Sequence, residues 1–364
     1  MDDKIKNIIG AAILVIIIIA VFIGLYLFGV FESSLPKYAP EGTDYIEYYN
    51  YKKFSKTKVF AAYKKTIFYE KLTEKARNDG YDVEKLFDFE ECYFRNRNAE
   101  MRGKKVARTS VTRGSLAGAK FKKEIEEYDQ LVTKSKKLND SLDPKFRGPD
   151  PHLSTSKIDD KEAFVFEYDS RKTVGIKLDD DTVQYSSGNT KEGAPISTPL
   201  KKNRTDVTKA IDTSALYSRA WQVDIPSQYR SELPDDWKSA AYGLTFLTLN
   251  IYDAGDDIKV ELELTYTSKD NAQSALTAVE KLRKKVLDED ETFHIGFFLD
   301  GKVGYEMLKA AEFKCKGKKI VAKVKYSQSK IIEQIEEEDA KVRKEEEERK
   351  KREAERKKQQ DAER

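Results

Sequence analysis

Apolar positions divide the chain into three regimes: one uninterrupted run near the N terminus, a central stretch of short periods, and an end almost without apolar residues. The run from Ile8 to Phe31 has 24 positions without a charge. A helix of that length measures about 36 Å, at a rise of about 1.5 Å per residue, which is enough to cross a hydrocarbon core of about 30 Å with some tilt. The pattern predicts a transmembrane helix over 8–31.

A cleaved signal peptide is the alternative to an uncleaved anchor for this run. The run is longer than the usual apolar region of about 7–15 residues, no A-x-A site follows it, and its exit reads Phe31-Glu-Ser-Ser34. We therefore predict an uncleaved signal anchor. Lys4 and Lys6 precede the run and only Lys37 follows it closely, so the Lys bias places the N terminus in the cytoplasm and the main domain outside.

Strand-like alternation and helical periods follow one another between residues 45 and 206. The helical face is clearest where Phe121, Ile125, Tyr128 and Val132 recur at spacings of 4, 3 and 4. The predicted elements are a Tyr-rich strand Tyr45–Tyr51, a helix around Val59–Ala76, strands Leu86–Phe94 and Lys105–Thr112, the helix just described, a polar connector over 134–161, and a hairpin of alternating positions from Phe164 to Leu178 that turns at Asp169-Ser170-Arg171.

A similar order of elements recurs between residues 207 and 335. Ser268 is a helix N-cap candidate, and an amphipathic face follows it from Ala272 to Val286. The recurrence predicts an α+β fold with two related sheet-plus-helix halves. The alternative is that the repeated order of elements arises without duplication, as it can in any α+β chain. The predicted elements are strand Leu216–Ile225, a short helix Trp237–Tyr242, strands Leu244–Tyr252 and Ile258–Thr267, the amphipathic helix, and a closing hairpin about Lys316-Gly317-Lys318.

The C-terminal end, 336–364, consists almost entirely of charged residues. Acid-to-base pairs at i, i+4, such as Glu345–Arg349 and Glu353–Lys357, favour a helix, while apolar residues are too few for a coiled-coil seam. We interpret it as a solvated helical or disordered tail. A second interpretation is a semi-rigid spacer, or a contact arm for a protein partner or for an anionic polymer or membrane surface that its basic part, Arg349–Lys358, would touch.

These patterns divide the chain into six predicted segments. They are a cytoplasmic N terminus 1–7, the signal anchor 8–31, a spacer 32–44, a first α+β half 45–206, a second half 207–335, and the charged helical tail 336–364.

Charge and cysteine content exclude several classes of protein. The 67 Lys and Arg nearly balance 64 Asp and Glu, and the net charge of +3 provides no general attraction for nucleic acid. With only Cys92 and Cys315, neither a disulfide framework nor a Cys-rich zinc site can form. A single Cys92–Cys315 bridge stays open for an oxidising compartment, but we favour two buried free thiols.

Motifs that would indicate catalysis are incomplete. The only histidines, His152 and His294, exclude a His-rich metal site, and Ser115 does not fit G-x-S-x-G. Gly296–Val303 matches G-x-x-x-x-G-K, but Val303 replaces the Ser or Thr that would hold Mg²⁺, so we predict a strand that ends in an Asp-Gly turn.

Acidic and aromatic clusters also have structural interpretations. Asp179–Asp181 and Asp253–Asp257 lack the spaced oxygen ligands of a calcium loop and fall where hairpin turns are expected. The tyrosines of Tyr45–Tyr51 could stack on a sugar or on single-stranded nucleic acid, but a strand in an aromatic core explains them better. We therefore assign no catalytic, cofactor-binding or metal-binding residue.

A resemblance to a group of proteins accompanies these patterns. Pro40 to Ile46 matches a Pro-x-x-x-x-Tyr-Ile/Val opening after a membrane helix, and Thr267 to Ala272 nearly matches a Ser/Thr-x-Asp-x-Ala helix start. In these motifs, the chain resembles uncharacterised, signal-anchored bacterial envelope proteins with a duplicated α+β domain, over about residues 36–335. That group has no established activity to carry over, and the charged tail lies outside the likeness.

The sequence thus favours a membrane-anchored, extracytoplasmic protein with a non-enzymatic binding or scaffolding role. An envelope hydrolase or transferase that uses carboxylates alone is a rival, because Asp and Glu occur throughout the chain. An oligomeric structural subunit of an envelope assembly is another.

Overall fold

Twelve β-strands of the described residues pair in antiparallel fashion to form one sheet. The structure is a computed structural model, and it describes residues 35–190, 193–201, 205–225, 235–289, 299 and 301–363. The strands are β1 Tyr45–Asn50, β2 Phe89–Arg95, β3 Arg108–Gly114, β4 His152–Ile158, β5 Lys161–Tyr168, β6 Arg171–Lys177, β7 Thr182–Asn189, β8 Tyr217–Gln222, β9 Leu244–Ala254, β10 Asp257–Tyr266, β11 Phe313–Lys316 and β12 Lys319–Ser327.

The strand order across the sheet is β11-β12-β10-β9-β8-β1-β2-β3-β7-β6-β5-β4. The helices are α1 Tyr51–Phe54, α2 Lys58–Tyr63, α3 Ile67–Asn78, α4 Arg97–Met101, α5 Ala117–Ser141, α6 Asp206–Lys209, α7 Asp235–Ala241, α8 Lys269–Glu289, α9 Lys302–Ala310 and α10 Gln328–Glu363. The predicted α+β class is therefore confirmed, as is the hairpin that turns between β5 and β6.

The predicted division of the folded part into two sheet-plus-helix halves is wrong and must be corrected. The strands of both predicted halves belong to one continuous sheet, because β1 pairs with β8 from Tyr45 opposite Trp221 to Tyr49 opposite Tyr217. The predicted anchor, 8–31, lies outside the described residues. Within the described ranges, no helix has both the length and the apolar character needed to cross a membrane.

Two layers of apolar packing cover the sheet. On the face that we call the helix face, Phe164 of β5 contacts Phe121 of α5, and Val260 of β10 belongs to a cluster with Met307 of α9. On the opposite face, side chains such as Tyr48 pack beneath the segment that begins at Leu35 and beneath α6. The Tyr-rich strand was predicted to lie in an aromatic core. This prediction is confirmed, since Tyr45 and Tyr48 are buried.

Local capping divides the helix that was expected over Val59–Ala76. The Thr57 Oγ1 atom accepts a hydrogen bond from the Phe60 backbone N, and the Thr66 Oγ1 atom accepts one from that of Tyr69. Each hydroxyl satisfies a donor of the first turn, so a new helix begins after each threonine. The connector over 134–161 also differs from expectation, since it contains the end of α5 and the exposed edge strand β4.

The two cysteines lie too far apart for a disulfide. Cys92 is on β2 and Cys315 is on β11, six strand positions away, which is about 29 Å at the usual spacing of about 4.8 Å between strands. Both thiols are free; Cys92 is buried, as expected, whereas Cys315 is partly exposed.

The charged tail is helical, and one side of its first part is bound to α3. Asp339 Oδ1 accepts a hydrogen bond of 2.7 Å from the backbone N of Ile67 at the start of α3, and Arg343 forms an ion pair of 2.8 Å with Glu70. A further ion pair of 3.0 Å joins Lys71 to Glu346. The expectation of a solvated helix therefore holds without exception for 347–360, where every residue is exposed.

Candidate functional site

One row of side chains crosses the whole helix face and organises the candidate site. Residues directly opposite each other in an antiparallel pair lie on the same face of the sheet, so the strand register identifies the members of the row. In order from the β11 edge they are Phe313, Ala322, Leu262, Leu249, Arg219, Glu47, Tyr93, Ser110, Tyr185, Gly175, Phe164 and Thr155.

A cavity of about 220 Å³, which we call the apolar cavity, lies on the β11 side of this row. Its walls are apolar side chains of β9 to β12 together with Met307 and Leu308 of α9, and Arg219 is its one charged lining residue. An apolar cavity of about 150 Å³ in a protein stays dry and binds a benzene molecule. The apolar cavity is therefore large enough for an aromatic ring or a short alkyl group.

Arg219 and Glu47 form a partly buried ion pair at the edge of this cavity. Arg219 Nη2 lies 2.7 Å from Glu47 Oε1, and the two side chains are 28% and 12% exposed. The same carboxylate oxygen accepts hydrogen bonds from the Tyr45 hydroxyl at 2.6 Å and the Tyr217 hydroxyl at 3.1 Å. Burial raises the pKa of both tyrosines, so they stay protonated donors.

The guanidinium of Arg219 has a buried donor without a hydrogen-bond partner among the described residues. Its Cζ atom lies 5.4 Å from the ring centre of Tyr217 and 5.9 Å from that of Tyr45, within cation–π range. Its Nε is buried and has no hydrogen-bond partner within the described part of the chain. A buried donor without an acceptor is costly, at about 1–3 kcal/mol.

A second, polar pocket of about 470 Å³ lies on the other side of Glu47, between the sheet and α5; we call it the polar pocket. Arg95, Arg108 and Glu124 are its charged lining residues. Tyr128 of α5 donates a hydrogen bond of 3.1 Å to Glu124 Oε1 and stacks on Phe166 at 4.1 Å between ring centres. Burial is the main cause that raises the pKa of the Glu124 carboxyl.

The residues that the sequence singled out for chemistry lie elsewhere. His152 is an exposed residue of the edge strand β4, and Ser115 is exposed between β3 and α5. His294 and 296–298 lie outside the described residues; Gly301, with φ of 71°, directly precedes α9, so a helix follows the expected turn.

The acidic clusters occupy turns, as expected. Asp179–Asp181 connects β6 to β7, and Asp253–Asp257 spans the turn from β9 to β10. No group of His, Cys, Asp and Glu with the geometry of a metal site occurs among the residues that the structure describes.

Sequence reasoning missed both members of the ion pair, although a signal was present. Glu47 alternates with Tyr45 and Tyr49, and Arg219 alternates with Tyr217 and Trp221. Each strand therefore carries one charge on its aromatic side, and the two charges have opposite signs. Charged residues are seldom buried unless they are paired, so such a couple predicts that the two strands are neighbours.

Comparisons with known proteins identify no family. No protein-family model matches the chain, and neither does any curated protein. Among solved structures, crystal forms III and IV of TP0453, a Treponema protein, are similar at 9% and 10% identity, with TM-scores of 0.40 and 0.39. The similarity covers 82% and 83% of this chain and 96% of TP0453 in each case.

Proposed function

We propose that this protein is a membrane-tethered envelope protein that binds a small amphipathic molecule on the helix face of its sheet. The observation that carries the proposal is the apolar cavity with Arg219 as its one charged lining residue. An apolar pocket with a few fixed polar groups is the usual form of a small-molecule site, in which the apolar walls supply affinity and the polar groups fix orientation.

The ion pair of Arg219 with Glu47 limits which polar group a ligand could place beside the guanidinium. Its positive charge is already matched by Glu47 at 2.7 Å. A ligand carboxylate would therefore lie close to the Glu47 carboxylate and be repelled by it. A neutral acceptor, such as an ester or amide carbonyl or a hydroxyl, would accept a hydrogen bond from the guanidinium of Arg219 without that repulsion. We accordingly propose a ligand with a short apolar group and a neutral acceptor beside it.

Filling the apolar cavity is expected to weaken ligand binding strongly. In Ala322→Leu, three additional carbon atoms enter the lining opposite Leu262. We expect a photoreactive alkyl ester probe to label Met307 or its neighbours in the full-length protein in membranes, and the Ala322→Leu variant to lose about nine-tenths of that labelling. Mass spectrometry of the labelled peptides measures the effect.

The control for this experiment is Ala340→Leu, which adds the same atoms at an exposed position of α10 and should leave labelling unchanged. Labelling of the wild-type protein at surface residues only, or equal labelling of Met307 in the wild-type protein and the Ala322→Leu variant, would contradict binding in the apolar cavity.

Membrane attachment and orientation are a further part of the proposal. The 24 uncharged positions from Ile8 to Phe31 and the preceding lysines support a single-pass anchor with the sheet domain outside the cytoplasm. Contact with a partner through 336–364 stays a prediction. The residues available for it are those after Glu346, because α10 is bound to α3 up to that point.

The two free cysteines supply a test of orientation. A membrane-impermeant maleimide added to intact cells is expected to label the partly exposed Cys315, and the labelled protein should stay in the membrane pellet after an alkaline wash. Cys315→Ser should remove the label, whereas Cys92→Ser should not, because Cys92 is fully buried. Labelling that requires lysis of the cells would show that the domain lies on the cytoplasmic side.

A further inference from the structure

We propose that the polar pocket is a second binding site, distinct from the apolar cavity, and that it takes a monosaccharide-sized molecule that carries a phosphate or carboxylate group. Arg95 and Arg108 would bind the anion, and the tyrosine rings around them would contact the body of the ligand. The proposal does not depend on the proposed function of the apolar cavity.

The strand register places the two arginines side by side. Phe94 of β2 lies opposite Thr109 of β3, so Arg95 and Arg108 follow as neighbours at the end of the same ladder. Both line the polar pocket, as does Ser187, which lies directly opposite Arg108 on β7. Like charges directly opposite each other on adjacent strands destabilise a sheet. A bound anion would reduce the repulsion between the two arginines and so stabilise this arrangement.

Neither guanidinium is neutralised within the described part of the chain. The ion pairs of this region engage other arginines: Arg113 binds Glu90 at 2.8 Å, and Arg219 binds Glu47. Arg95 and Arg108 form no ion pair with a described residue. Arg presents its N–H donors in a planar fork that matches the oxygens of a phosphate or carboxylate, which is why unpaired arginines in a pocket favour these anions.

The single carboxylate that lines the polar pocket does not cancel this charge. Glu124 lies on α5, on the opposite wall, and its Oε1 accepts the hydrogen bond from Tyr128. With two arginines and one glutamate the lining carries a net charge of +1 when Glu124 is ionised and +2 when it is protonated. Burial raises the pKa of Glu124, which increases the protonated fraction.

The remaining lining suits a hydroxylated ligand rather than an apolar one. Ser110 and Ser187 provide hydroxyls at the sheet, and Tyr93, Tyr128 and Tyr185 provide rings around them. The volume of about 470 Å³ falls within the range of about 300–1,000 Å³ that is usual for small-molecule sites, and it exceeds what a bare anion needs. The ligand therefore has a polar body in addition to its charged group.

Titration of the full-length protein in a polyoxyethylene detergent tests the proposal. Inorganic phosphate and glucuronate are the probes, and calorimetry measures their affinity. We expect saturable binding of at least one probe and a loss of at least tenfold in affinity for Arg108→Gln. Arg108→Lys should cause an intermediate loss, because it keeps the positive charge but not the planar N–H donors of the guanidinium. Tighter binding of phosphate would identify a phosphorylated ligand, and tighter binding of glucuronate a sugar acid.

Two controls separate binding from structure. Arg77→Gln removes an exposed arginine of α3 and should leave both affinities unchanged, as should Ala322→Leu in the apolar cavity. Because Arg108→Gln removes a repulsion, it should not lower the Tm without ligand, but it should remove the rise in Tm that the bound probe causes. Absence of saturable binding of both probes, or unchanged affinity in the Arg95→Gln/Arg108→Gln double variant, would overturn the proposal.

Discussion

Replacement of Arg219 by Met is expected to lower the free energy of unfolding by about 2–4 kcal/mol, because it leaves the Glu47 carboxylate buried without its cation. The loss should be smaller than for a fully buried pair, since Arg219 is 28% exposed. The two tyrosine hydroxyls that bind Glu47 remain, but they carry no charge to compensate it. Urea unfolding of the two proteins measures the difference.

The double variant Glu47→Gln/Arg219→Met distinguishes a charge effect from a packing effect. The amide oxygen introduced by Glu47→Gln would still accept hydrogen bonds from the tyrosines and would not need a cation, so we expect the double variant to recover at least half of the lost stability. As a matched control, Arg102→Met breaks an ion pair with Asp224 whose side chains are 44% and 61% exposed, and it should change stability by less than about 1 kcal/mol. Equal losses in the single and double variants would contradict the charge explanation.

The second large effect is expected for Phe164→Ala, at about 3–5 kcal/mol, which is the usual loss for a buried aromatic residue. The Phe164 side chain is fully buried and lies 5.5 Å, between ring centres, from both Phe121 and Tyr128 of α5. It therefore anchors the helix that forms one wall of the polar pocket. Thermal and urea unfolding measure the loss, and the exposed Phe146→Ala, with 68% exposure, is the control.

A second substitution tests the geometry around Phe164 directly. Gly175 lies opposite Phe164, and a Cβ atom there would approach the ring to 2.3 Å. Gly175→Ala should therefore destabilise the wild-type protein, but it should have little further effect in the Phe164→Ala background, where the space is free. Strictly additive losses from the two substitutions would contradict this contact.

The candidate site could be predicted only in part, because its interactions join residues that are far apart in the sequence. The tyrosines of the Tyr-rich strand predicted an aromatic core, so the burial of Tyr45 was expected. The partnership of Glu47 with Arg219 joins residues 172 positions apart, and no local period relates them. The two pockets depend on which helix lies over which strands, and this is a property of the assembled sheet.

The sequence by itself determined the α+β class, the β5–β6 hairpin, and the long helices α5 and α8. These features follow from periods and pairs within a few residues, where the physical cause is local. The tertiary structure decided three others: the single twelve-stranded sheet, the attachment of the tail to α3, and the pairing of Arg219 with Glu47. Each arises because distant segments satisfy each other's apolar surface, hydrogen bonds or charge, and that choice exists only once the chain is folded.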